Sequence, residues 1–531
     1  MKRRDFVLTV PLILTGCGAG GGSPLASSPS PSGSGSGSSS SSGGSSSGSS
    51  TGAVYDGVIQ NSNGKLVNAA GMAVQLRGAN MSGLENSAAQ GNIPWTDGGA
   101  PDWAVYQTWK PNAVRLPLNA ASWLGLSGGI TGRQPVSFTA APASGSTGGT
   151  LTTEWSLASG QWPLMFSGND SPYTYATMTN GSSAVTWPSL KQGAPGTSAT
   201  VVTWASTRSA DPSGNYKSTV IAAVSAAQAI GCYVILDLHW CVPQISIGGV
   251  SNYLMPLGQS AFADYSTAVP FWKSIAQTFG TQATPPNGVS NRGILFELFN
   301  EPYLDQVGFA LTTQQGGGSP LTPDQALLQG GWSEVVNDTQ GAAHNVLPIP
   351  WQLAGYQTLI STIRATGAQN ICIVNGNSWA QQLQNHAVWT PTDSLSPSQL
   401  AYGWHPYPDG SYPYSNGDVY PKTGSDTGDG TSTAVQWATD IIASGYPVLI
   451  TEDGGGAGTS ATATPPEPHM AYMQSWADSQ NASYFFWVWN GTEASGTPST
   501  ANRATVYSST GTIEPIQGEG TQCYNWMVNH S

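Results

Sequence analysis

From residue 53 onward, short apolar or β-branched runs alternate with longer segments. The runs are Ala73–Arg77, Ala113–Leu118, Tyr233–Leu238, Ile294–Phe299, Ile371–Val374, Leu400–Trp404, Val448–Thr451 and Tyr484–Val488. Helix-like stretches fall between several of them, at Tyr216–Ile230, Ala261–Phe279, Trp351–Thr366 and Ala434–Ser444. A continuously apolar strand is one buried on both faces, the condition of a parallel sheet covered by helices. Eight such units in order predict an α/β protein, a (β/α)8 barrel, whose working residues sit at the C-terminal strand ends. One segment breaks the rhythm. Residues 127–205 are rich in Thr, Ser, Gly and Val, with alternating runs such as Tyr173–Met178 and Ala184–Trp187. They read as a small β module inserted in the loop after strand two, on the face that carries those strand ends. Its Trp155, Trp162, Trp187 and Trp204 read as the module's own core more readily than as an added stacking surface. Further insertions at about 305–350 and 408–433 would build up the same rim.

Composition narrows the ligand. Charged residues make up 8% of the 531, and 16 Lys and Arg face 29 Asp and Glu for a net charge of −13. Nucleic acid needs a basic stripe that displaces counterions, so it is excluded as a partner. Twenty Trp on a weakly charged chain suit a neutral ligand with apolar faces, and sugar polymers fit.

Lys2, Arg3 and Arg4 precede an apolar run from Phe6 to Leu14, followed by Leu14-Thr15-Gly16-Cys17. This is the build of a signal peptide over 1–17, too short to span a bilayer as a mature helix. Its ending resembles a bacterial lipobox with Cys17 as the lipidated residue, and Arg3-Arg4-Asp5-Phe6-Val7 resembles a twin-arginine export signal. Residues 18–52 are almost entirely Gly, Ser and Pro, a flexible linker with a reach of roughly 30–35 Å. The expected product is an exported protein on a lipid anchor at the bacterial cell surface or outer membrane, with a periplasmic or extracellular place as the alternative. A monomer is expected. Cys232, Cys241, Cys372 and Cys523 permit two disulfides in three pairings. A strand between Cys232 and Cys241 would hold that pair about 30 Å apart, and buried free thiols are the preferred reading.

The strand ends carry the chemistry. They are followed by Gly78-Ala79-Asn80, Pro117-Leu118-Asn119, Asp237-Leu238-His239-Trp240, Asn300-Glu301-Pro302, His405-Pro406-Tyr407 and Glu452-Asp453-Gly454, with Trp487 and Trp489 at the last. Taken in order with Leu76-Arg77-Gly78-Ala79-Asn80, Asn112–Asn119 and Phe296–Pro302, these stretches resemble glycoside hydrolase family 5, the cellulase-containing family of retaining (β/α)8 enzymes. The resemblance covers 53–531 apart from the insert. It implies Glu301 as acid/base and Glu452 as nucleophile, with Arg115 and Tyr407 beside the nucleophile, Asn300 on the sugar 2-hydroxyl, His239 and His405 in the pocket, and Trp487 as the platform under the sugar. Trp240 and Trp489 are further candidates for sugar contact. Thr451 and Asp453, flanking Glu452, depart from the family pattern and leave the local hydrogen bonding open. Glu297 reads as a barrel-interior acid one layer deeper than Glu301. His344, His386, His469 and His530 read as surface residues. No cofactor is expected, and no His/Asp/Glu set has zinc-ligand spacing, so no metal is either.

A β-1,4-glucan is the expected substrate, with mannan, xyloglucan and β-1,3-glucan open because the inserts remodel the subsites. Two other classes compete. A surface carbohydrate-binding lipoprotein without turnover would have no need of both Glu301 and Glu452. A serine esterase rests on Gly125-Leu126-Ser127-Gly128-Gly129, which no strand leads into.

Overall fold

The computed structural model describes side chains over 55–85, 94–95, 100–126, 210–211, 213–241, 260–286, 288–305, 310–333, 351–407, 434–454, 469–489 and 520–530, and the backbone alone of further strands between them. Cys17, the linker 18–52 and the segment 408–433 lie outside the described residues.

Eight parallel strands close into one barrel in chain order. They are β1 (Arg77–Asn80), β2 (Ala113–Asn119), β3 (Tyr233–Trp240), β4 (Ile294–Glu297), β5 (Cys372–Asn375), β6 (Leu400–Trp404), β7 (Val448–Ile450) and β8 (Ser483–Phe486). Around them stand α1 (Trp103–Thr108), α2 (Tyr216–Ala229), α3 (Tyr265–Phe279), α4 (Tyr356–Arg364), α5 (Ala434–Ala443), α6 (Pro468–Gln480) and α7 (Glu519–Asn529). This is the (β/α)8 barrel that the alternation of runs predicts. β1 begins four residues later than the pattern suggests. Ala73 and Val74 are claimed by the N-terminal hairpin of Gln60–Ser62 and Lys65–Val67, where Val74 N–H donates to the Leu66 carbonyl and Ala73 bridges Val67.

Strand periodicity sorts the core into two parts. Outward residues such as Val114, Leu116, Val234, Leu236, Phe296, Tyr402 and Ile450 pack against the helices. Inward residues Leu76, Ala113, Ile235, Leu295, Ile373, Ala401, Leu449 and Phe485 fill the barrel's lower half, closed below by Ile59 and Leu66 of the hairpin. Two residues further along, the inward positions become Arg115, Asp237, Glu297, Asn375, Gly403 and Thr451, joined on β1 by Asn80, two residues beyond the inward Gly78. The six with side chains are fully buried. The barrel's upper half is therefore a polar layer resting on an apolar one.

The segment after β2 forms a second closed barrel of six strands, at Ile130–Phe138, Gly149–Thr152, Gly160–Phe166, Thr174–Met178, Ala184–Thr186 and Ala199–Trp204, every pairing antiparallel. Its Gly160–Phe166 strand lies against Gln244–Ile247, half of a hairpin that grows from the end of β3. That contact brings one strand of the inserted barrel next to the hairpin. Trp155 and Trp187 lie outside the described residues, as do the side chains of Trp162 and Trp204. The segment 305–350 contributes two strands of a small sheet, Leu311–Thr312 and Gly331–Ser333, completed by Trp351–Leu353. Cys232, Cys241, Cys372 and Cys523 are buried free thiols.

Gly403 makes room for the polar layer. A Cβ there would lie 2.0 Å from the Asn375 Oδ1 and 3.2 Å from Glu297 Oε1. Gly403→Ala should therefore destabilise the fold by about 1–3 kcal/mol, an overpacking cost. Urea unfolding of the variant checks this, and wild-type stability would mean that Asn375 gives way freely.

Candidate active site

Arg115 is the centre of the polar layer. Its Nε donates to Glu297 Oε2 (2.5 Å) and its Nη1 to Asn80 Oδ1 (2.7 Å) and Glu452 Oε1 (2.6 Å). Its Nη2 donates to Asn300 Oδ1 (2.7 Å) and lies 2.9 Å from Asp237 Oδ2. A guanidinium offers five N–H groups in a rigid fork, and five residues on four strands and their ends meet them here. Three of the five are carboxylates, so one cation is shared among three potential anions. Burial pushes Asp237 well up from the usual carboxyl range and outweighs the pull of Arg115. Glu297 goes the other way. Burial opposes its charge, but Arg115 and the amide of Asn375 together hold its carboxyl low. Burial also raises Glu452, against the opposing pull of Arg115.

Glu452 follows β7 and is held at both oxygens, by Arg115 at Oε1 and by the Tyr407 hydroxyl at Oε2 (3.2 Å). Burial raises Tyr407 well above the usual phenol range, which keeps it a donor. Glu301 follows β4, its side chain 13% exposed against 6% for Glu452, with Oε1 2.9 Å from His405 Nδ1. Glu301, His405 and Glu452 each bring a ligand-type atom within 4.8 Å of the others, a grouping a cation could bridge. Those atoms already have partners in the chain: Glu301 and Thr451 on His405, Arg115 and Tyr407 on Glu452.

His239 Nδ1 lies 2.7 Å from Asp237 Oδ2, and the Asn300 amide approaches its Nε2 at 3.5 Å. With an N–H donor facing Nε2, the neutral ring carries its hydrogen on Nδ1, toward Asp237. The Trp487 ring stacks on His239 with centroids 5.4 Å apart and planes at 11°. Trp240 is partly exposed beside His239, with centroids 6.4 Å apart.

The structure thus gathers Arg115, His239, Asn300, Glu301, His405, Tyr407, Glu452 and Trp487, with Trp240 adjoining. Trp489 is a correction. It is 2% exposed and packs edge-on against Tyr106 and Trp109, outside the barrel mouth. The strand ends at Phe486, so two-residue periodicity no longer carries Trp489 to the face of Trp487. His469 is a second correction. It is fully buried, with Nε2 2.9 Å from Asp453 Oδ1, while the Tyr484 hydroxyl donates to Asp453 Oδ2 at 2.9 Å. Asp453 in turn accepts at its carbonyl from Trp487 N–H (2.8 Å), which ties the segment after β7 to the stacking Trp.

Asn375 joins the site as a residue the motif reading did not single out, and Asn80, Asp237 and Thr451 as residues to which it gave no role. Asn375 donates to Glu297 Oε1 (2.8 Å) and to the carbonyls of Phe299 and Asn300. Asp237, Asn375 and Thr451 each stand two residues beyond an inward apolar residue, and Asn80 two beyond the inward Gly78, a signal available in the sequence once inward positions are known.

The strand ends of this parallel barrel thus hold an arginine-clamped carboxylate with a second carboxyl beside it. The profile of the family described as cellulase (glycosyl hydrolase family 5) matches residues 197–493, more than half of the chain. The chain belongs to that family and is a glycoside hydrolase. It is similar to the catalytic domain of alkaline cellulase K, at 16% identity over 90% of this chain and 96% of that one, with a TM-score of 0.44. The catalytic domain of a Thermobifida fusca endoglucanase is 13% identical over 89% and 98%, with a TM-score of 0.41. An endo-β-1,4-glucanase of Xanthomonas axonopodis pv. citri carrying a triple mutation is 14% identical over 86% and 100%, with a TM-score of 0.44. No curated protein matches the chain.

The buried histidines make the site sensitive to acid. Burial pushes His405 down from its usual 6.5 to about 4. The unfolded chain binds that proton below about pH 6.5 and the folded one only near 4, so the stability His405 contributes is lost as pH falls across this window. Unfolding free energy measured from pH 7 to 4 should fall less steeply in His405→Gln than in the wild type, by on the order of 3 kcal/mol across the window. Parallel curves would refute the neutral state of His405.

Proposed function

We propose that this protein is a retaining endo-β-1,4-glucanase that breaks down cellulose-type polysaccharide. The observation that carries this reading is the pairing of Glu301 and Glu452, with one oxygen of each within 4.8 Å. Retaining glycosidases hold their two carboxyl groups about 5–5.5 Å apart, whereas inverting enzymes leave room for a water between them. Glu452, anchored by Arg115 and Tyr407, attacks the anomeric carbon. Glu301 protonates the departing oxygen and then takes a proton from the water that releases the glycosyl group from Glu452. Asn300, oriented through its Oδ1 by Arg115, presents its amide to the sugar 2-hydroxyl. Trp487, braced on His239, lies under the ring at the cleavage point, and Trp240 extends that wall.

The six-stranded barrel beside the end of β3 would flank the cleft. Residues 1–17 would direct export and lipidation at Cys17. Residues 18–52 would give a monomeric catalytic domain over 53–531 its reach from the membrane, at the cell surface or outer membrane.

The test is product release from carboxymethylcellulose, mannan, xyloglucan and laminarin. Glu301→Gln should lower kcat on the preferred glucan by about 10²–10⁴-fold, the range for a general acid/base, and Glu452→Gln by at least as much. NMR of the first product should show the β-anomer. Preference for mannan would shift the substrate to a mannanase reading. Polymer binding without turnover would make the chain a carbohydrate-binding lipoprotein.

A further inference from the structure

The departure at Thr451 has a specific geometry. Its side chain is fully buried between two groups, with Oγ1 2.8 Å from Glu297 Oε1 and 3.0 Å from His405 Nε2. A hydroxyl has one hydrogen to give. Glu297 is ionised, and a carboxylate is the stronger, charge-assisted acceptor, so that hydrogen goes to Glu297. The Thr451 oxygen then faces His405 with a lone pair, and His405 must present Nε2–H to it. A neutral imidazole with its hydrogen on Nε2 has a bare Nδ1. That bare nitrogen lies 2.9 Å from Glu301 Oε1, so the hydrogen between them has to come from Glu301.

We propose that Thr451 is a positioning residue that fixes His405 as its Nε2–H tautomer, so that the bare Nδ1 keeps the transferable proton on Glu301. The inference rests on the acid role of Glu301 given above. In the first half-reaction that proton passes to the glycosidic oxygen as its bond to the anomeric carbon breaks. Glu301, now ionised, faces a ring nitrogen that offers no hydrogen, and it recovers its proton from the incoming water. The opposite tautomer would donate Nδ1–H to ionised Glu301 and stabilise the wrong form.

The other charged and titratable groups near this pair are Glu452 and Asp453 after β7, Tyr407 after β6, Glu297 and Arg115 below, and Asp237 and His239 on β3. Glu452 Oε2 lies 3.8 Å from His405 Nδ1, and Glu297 Oε1 3.9 Å from Nε2. The reach of the others comes from their charges at His405 or Glu301. None of them offers His405 Nε2 a neutral acceptor in the way Thr451 does.

Thr451→Val has the same shape and no hydroxyl, which frees His405 to take the other tautomer. The basic limb of its kcat/KM–pH profile on cellotetraose should move down by about one pH unit. Thr451→Ser, which restores the hydroxyl, should return the limb to its wild-type position. With 2,4-dinitrophenyl cellobioside, whose leaving group needs no proton, Thr451→Val should lose several-fold less than with cellotetraose. Equal losses on both substrates with an unmoved limb would reduce Thr451 to a packing residue and overturn the proposal. Ring ¹⁵N spectra of the wild-type enzyme, with His405 assigned by its absence in His405→Gln, read the tautomer without any substrate. A hydrogen on Nδ1 overturns the inference even in an active enzyme. A wild-type enzyme inactive on both substrates overturns the glucanase reading, and the acid role with it, while the spectra still decide the tautomer.

Discussion

Everything at the mouth of this barrel depends on one buried guanidinium. Arg115 is fully enclosed and touches Asp237, Glu297 and Glu452, three carboxyl groups that burial alone would neutralise. Removing one partner of a buried ion pair typically costs about 3–5 kcal/mol, because the remaining charge loses its compensation. Here three acids share the cation, and they settle differently. Glu297 keeps its charge with help from Asn375 and Thr451, while burial pushes Asp237 toward its neutral form. Glu452 lies between them, closer to solvent and held at both oxygens. Unequal environments around one cation are how neighbouring carboxyl groups acquire unequal proton affinities.

The barrel makes that arrangement affordable by separating two layers. The lower interior is closed with aliphatic and aromatic side chains, so that polar groups appear only where strand ends can satisfy them. Within the polar layer almost every donor meets an acceptor on a neighbouring strand. Arg115 spans to β1, β3 and β4, and Asn375 binds from β5 to β4 and to the chain beyond it. Such a network fixes the site before any ligand arrives, since Arg115 or Glu297 cannot turn without breaking bonds on several strands.

The two residues flanking Glu452 extend the same logic. Thr451 reaches inward to Glu297 and His405. Asp453 reaches outward to His469 on α6 and Tyr484 on β8, and through its carbonyl to the N–H of Trp487. The nucleophile candidate therefore sits between two anchored neighbours, one governing protons and the other governing the stacking surface.

The order of strands, the carboxylates at their ends and the inward glutamate below Glu301 follow from the sequence, because a period of two and an apolar run specify which face is buried. The candidate pair Glu301 and Glu452 belongs to that legible part, through the ordered motifs that carry it. The tertiary structure decided the rest. Asn80, Asn375 and Thr451 are ordinary polar residues until closure of the barrel brings β1, β5 and β7 around Arg115. Trp487 and Trp489 are alike in sequence, yet the turn after β8 sends one over the site and the other into the helix layer. His469 is separated from Asp453 by 15 intervening residues, and no local pattern indicates that α6 will bury it against that carboxylate. Local periodicity determines which side of a strand a residue faces; only closure of the barrel determines which groups it meets there.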